Sequence, residues 1–193
     1  PNMAPTGDAA TQQQIQTLNE MYSTSLGQEM LDVLIESGND YYITNESTST
    51  PGTSGIVKYD FGAKCKMGGN NTILVMSHEL FHAFQYENCR GGATYMNEVE
   101  AYVYSYALAM EAGIPFINQL GSLNPGTPDG VKFEKAMNNL SGTSFSQTDF
   151  STAVDLFQSQ SRMNSSGIYN SSYYTKGNSS NGSLLQQFYP LRR

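Results

Sequence analysis

Histidine and cysteine are scarce in this chain of 193 residues, with two of each, and Lys and Arg together number only ten. Two cysteines are too few for a disulfide framework, and Cys65 and Cys89 lack the Cys-x-x-Cys spacing of metal or redox sites. They leave either one disulfide between two loops or two free thiols. Basic residues form no run longer than Arg192 and Arg193, and the formal charge is −7, so the electrostatic footprint of a nucleic-acid binder is missing. No apolar run reaches the length of a membrane span. Internal repeats are absent, and no basic stretch followed by an apolar one marks a secretory signal, so any targeting segment is expected to lie upstream or to have been removed. Charged residues make up only 14% while Asn, Ser, Thr and Gly abound, an exterior that suits a secreted or cell-surface protein.

What remains reads as one domain over residues 1–193, long enough for a real core. Apolar spacing predicts helices over Ala9–Ser25 and Gly27–Ser37, the second stopped by Gly38 and its turn-forming neighbours. Strands are expected at Tyr41–Thr44 and Gly55–Asp60, separated by a Ser/Thr/Gly/Pro loop, and together they suggest a small antiparallel sheet. Further helices are expected over Thr72–Glu87, with Asn71 as N-cap, and over Tyr95–Ala112, Gly130–Asn139 and Phe150–Gln160. Residues 163–183 read as a long polar loop.

Both histidines fall in one pentapeptide, within Ser77-His78-Glu79-Leu80-Phe81-His82-Ala83-Phe84-Gln85. Composition alone would produce His-Glu-x-x-His in roughly one such chain in a thousand. On a helix, residues four apart share a face, so His78 and His82 can present two nitrogens to one Zn²⁺. Glu79 lies about 100° further around, within reach of a water beside the metal without ligating it. Ile73, Met76, Leu80 and Phe84 form an apolar stripe on the opposite side, which turns the pair away from the surface that anchors the helix. The plain alternative is two histidines with no ligand.

A catalytic zinc takes a third protein ligand, and no third histidine exists. Gln85 and Asn88 stand where a metzincin has its Gly and last His. A carboxylate must serve, and Glu98 and Glu100 in the following helix are the candidates, two apart and so about 200° around its axis. Glu98 shares its stripe with Ala101, Tyr102, Ser105 and Ala109, mostly small residues that let another helix approach. Glu100 shares its stripe with Tyr104, Ala107 and Glu111, which looks solvated at both ends. Packing favours Glu98, with Glu100 as the alternative.

These residues resemble the gluzincin branch of zinc metallopeptidases, in which His-Glu-x-x-His is completed by a Glu on a following helix. Residues 77–85 with Glu98-Val99-Glu100-Ala101 are similar to minimal zincin domains of bacterial secreted and toxin-like proteins. The resemblance implies an α+β zincin-like fold, mostly helical with a small antiparallel sheet. It also implies zinc held by His78, His82 and Glu98, and hydrolysis of a protein or peptide by a metal-activated water with Glu79 as general base. It supports Glu98 as the first Glu of a Glu-x-Glu-Ala pattern. One departure stands out: Tyr102 occupies the position where many gluzincins carry an Asp that orients a ligating histidine.

Neither histidine is spare for the oxyanion, so a Tyr or Arg is expected, with Tyr169, Tyr173 and Tyr174 as candidates beside an ordinary loop role. Substrate is expected to lie extended along a sheet edge near Gly55–Asp60. Two other functions compete: a non-catalytic secreted or surface binding domain on a degenerate zincin scaffold, and a metal-dependent hydrolase of non-peptide amides.

Overall fold

The computed structural model describes residues 9–39, 41–47, 54–59, 64–66, 73–114, 126–163, 175–177 and 182–192. Helices α1 (Ala9–Tyr22) and α2 (Ser25–Glu36) open the chain. The break between them is made by Thr24, extended at φ −95° and ψ 152°, whose hydroxyl accepts the Gly27 amide and caps α2. Strands β1 (Tyr41–Ser47), β2 (Ser54–Tyr59) and β3 (Lys64–Lys66) follow, antiparallel in the order β1-β2-β3. Then come α3 (Ile73–Glu87), α4 (Tyr95–Glu111), α5 (Pro128–Leu140), α6 (Gln147–Met163), the short α7 (Ser183–Gln186) and a final 3₁₀ turn, Tyr189–Leu191.

Helix α4 is buried on nearly every side, from Tyr95 through Ala109, and organises the core. Phe81 of α3 stacks on Tyr104 of α4 with ring centroids 4.6 Å apart, and Phe188 closes on both. Gln85 meets Asn97 and Glu100, whereas His78, further back in α3, meets Tyr102, further along α4. The two helices therefore run antiparallel. Tyr104 also donates to the Leu26 carbonyl at 2.8 Å, and Glu111 accepts the Ser25 and Leu26 amides, which docks the start of α2 on α4.

The expected α+β class does not hold. The described residues are mostly helical, and the buried apolar residues described among them come from the helices and the turn at Phe188. The strand residues form a ribbon beside the bundle, with Tyr41 and Ile43 of β1 partly buried against the core. Segments such as Tyr-Tyr-Ile-Thr-Asn-Glu-Ser carry too little apolar surface to face a sheet onto a core, so helix-on-helix packing takes over.

The expected edge strand is also corrected. β2 is the middle strand, pairing Tyr59 with Tyr41 on one side and Val57 with Cys65 on the other. Its backbone is already engaged where a substrate was expected to pair. α7 and the 3₁₀ turn went unrecognised, because four and three residues are too short to show a period.

Candidate metal centre

The turn between α3 and α4 sets the site. The Cys89 amide donates to the Tyr86 carbonyl at 2.9 Å and the Arg90 amide to the Gln85 carbonyl at 2.8 Å, the double closure of a helix end. Cys89 itself takes the left-handed conformation at φ 56°, and its thiol is free and exposed. Asn97 then ties the turn down, its side-chain amide donating to the Arg90 and Gly92 carbonyls at 2.7 and 2.8 Å. Thr94 caps α4 by accepting the Asn97 amide, so Glu98 falls in the first turn, where the helix dipole favours a carboxylate.

Folding α4 back over α3 brings His78, His82 and Glu98 together as a group that can hold a metal ion. The two Nε2 atoms are 3.2 Å apart. Glu98 Oε2 stands 3.3 Å from His78 Nε2, and Glu98 Oε1 stands 3.6 Å from His82 Nε2. Three ligands at 2.0–2.1 Å around one tetrahedral ion would stand roughly 3.3–3.4 Å from one another. The spacings lie near those values, with a different carboxylate oxygen toward each histidine, and a pair of imidazoles with one carboxylate is suited to zinc chemistry.

The electrostatics agree with the crowding. Burial alone would push Glu98 up, but the two histidines hold it well below the usual carboxylate range. Burial alone would push His82 down, yet Glu98, with help from Glu79 and Gln85, raises it to about 9. Glu79 is half-buried and close enough to act on His82, but it does not belong to the ligand group.

Glu100 sits elsewhere than its stripe suggested. It is fully buried, not solvated, because Tyr104 and Ala107 on the same stripe are buried too. Its Oε2 accepts the Gln85 side-chain amide at 3.0 Å. Burial pushes its carboxyl up to about 7, against the opposing pull of Gln85 and the Leu185 and Leu184 amides at the start of α7.

Two neighbours, Gln85 and Tyr102, complete the surroundings of the histidines. Gln85 Oε1 lies 2.8 Å from His82 Nδ1. Its spacing of three from His82 on one helix was the signal that would have found it. Tyr102 packs its ring on His78, centroids 4.3 Å apart and tilted by 49°. His78 Nδ1 is buried and has no hydrogen-bond partner among the described residues. The loop with Tyr169, Tyr173 and Tyr174, and the proposed N-cap Asn71, lie outside the described residues.

Among the described residues no helix is long and apolar enough to cross a membrane. Compared with protein-family models, with curated proteins and with solved structures, the chain matches none.

Proposed function

We propose that this protein is a zinc-dependent metallopeptidase of gluzincin type, acting on a protein or peptide substrate in a secreted or cell-surface setting. The observation that carries this reading is the spacing of the His78, His82 and Glu98 ligand atoms, with Glu79 one residue along the same helix. His78, His82 and Glu98 would hold the ion. When bound, zinc supplies Lewis-acid polarisation of a carbonyl and acidifies water at neutral pH.

The remaining work falls to the chain. The Glu79 carboxylate takes a proton from the attacking water as general base, then gives it to the amine nitrogen that leaves. Thr94 and Asn97 hold the first turn of α4, which keeps Glu98 facing the histidines.

A non-catalytic secreted or surface binding domain on a degenerate scaffold is the second reading, favoured by the Tyr102 contact and by the buried His78 Nδ1, which has no hydrogen-bond partner among the described residues. Elemental analysis with a peptide-cleavage screen separates the two. Zinc at about one per chain, lost in His78→Ala and Glu98→Ala, with cleavage abolished in a zinc-loaded Glu79→Gln, supports the peptidase. Zinc without Glu79-dependent cleavage supports the binding domain, and no zinc uptake sinks the peptidase and leaves a binding domain that carries the motif as a relic.

A further inference from the structure

The side-chain amide of Gln85 can be oriented in only one way. Its Nε2 lies 3.0 Å from the Asn97 carbonyl and 3.0 Å from Glu100 Oε2. A backbone carbonyl accepts and never donates, so the NH₂ group must face it. That leaves Gln85 Oε1, an acceptor, 2.8 Å from His82 Nδ1. His82 must then donate from Nδ1, and its Nε2 is left to face His78 Nε2 and Glu98 Oε1. Gln85 is 1% exposed and Glu100 0%, so bulk solvent reaches neither.

We propose that Gln85, clamped by the Asn97 carbonyl and Glu100, is the positioning residue for His82, fixing the proton on Nδ1 and presenting Nε2 to the metal. The inference rests on the metal reading above and deepens it. An amide does here what a carboxylate or a backbone carbonyl does at other histidine ligands, and Glu100, lying outside the ligand group, gains a role one step removed. The two histidines differ on the side away from Glu98: His82 makes a hydrogen bond at Nδ1, whereas the Tyr102 ring packs on His78.

The test uses zinc alone as the probe, with the wild-type protein and Gln85→Leu. Two quantities are read: the zinc Kd by competition with a chelator, and the ¹⁵N and ¹H signals of the His82 ring in the loaded protein. The expected wild-type result is a slowly exchanging proton on Nδ1 with Nε2 bound to zinc. In Gln85→Leu that proton is expected to exchange fast, and Kd to weaken by about 10- to 100-fold. A wild-type His82 bound through Nδ1, or an unchanged Kd in Gln85→Leu, overturns this proposal and leaves the metal site standing. Wild-type protein that takes up no zinc overturns both. If Gln85→Leu does not fold, the nitrogen identified in the wild-type protein decides.

Discussion

Glu98 Oε2 and His78 Nε2 lie 3.3 Å apart, with only 8% and 9% of their side chains exposed. A carboxylate in so dry a place is kept charged by its partners, and it in turn controls how they titrate.

Removing that charge should therefore be visible on His82. In Glu98→Gln, burial becomes the dominant influence, so the His82 pKa is expected to fall from about 9 to near or below its ordinary 6.5. An NMR titration of the metal-free variant measures this directly. A value unmoved from 9 would mean that the charge on Glu98 is not what raises it.

Metal-free protein should lose stability as pH rises. Three groups set the sign. Glu98 is depressed, so its contribution is complete above about 4.5 and lost only as pH falls through its low folded value. Glu100 is raised to about 7, so the folded state loses ground between 4.5 and 7. His82 is raised to about 9, so its contribution is full below 6.5 and gone above 9. Stability is expected to peak near pH 4.5–5 and then decline, each of the last two groups costing on the order of 3 kcal/mol. Thermal unfolding of chelator-treated protein from pH 4 to 10 checks it, and a rise in Tm between pH 5 and 9 would contradict it.

Zinc should reverse that trend. Binding must displace the proton on His82, so apparent affinity is expected to rise about tenfold per pH unit and level off near pH 9. Free zinc at 100 times Kd would then stabilise the fold by about 2.7 kcal/mol. Zinc titrations at pH 7, 8 and 9 give the slope, and a flat profile would rule out proton displacement.

The end of α3 offers a test away from the metal. Cys89 holds φ 56° where glycine carries no Cβ penalty. Cys89→Gly is expected to stabilise the protein by about 0.5–1 kcal/mol, raising Tm by roughly 2 °C. Gly91→Ala should act the other way, because its Cβ would come within 2.8 Å of the Tyr86 ring. Paired unfolding curves decide both.

Local patterns were legible wherever one helix carried them. The four-residue spacing of His78 and His82, the buried stripe of Ile73, Met76, Leu80 and Phe84, and the span of α3 to within a residue all follow from a 3.6-residue period. The fold class did not follow, because a strand pattern at Tyr41–Thr44 or Gly55–Asp60 does not indicate whether that strand meets the core.

That two imidazoles and a carboxylate share one helix is legible in the order of residues, since side-chain direction along a helix is set by local geometry, and with no third histidine in the chain a carboxylate is the expected third ligand. It takes the packing of α4 on α3 to bring Glu98 to the histidines, turn Glu100 to Gln85 and lay Tyr102 against His78. Those outcomes depend on how far α4 is rotated and shifted against α3. That relation is fixed by the left-handed Cys89, the Asn97 ties and the Phe81–Tyr104 stack, none of which a one-dimensional period records.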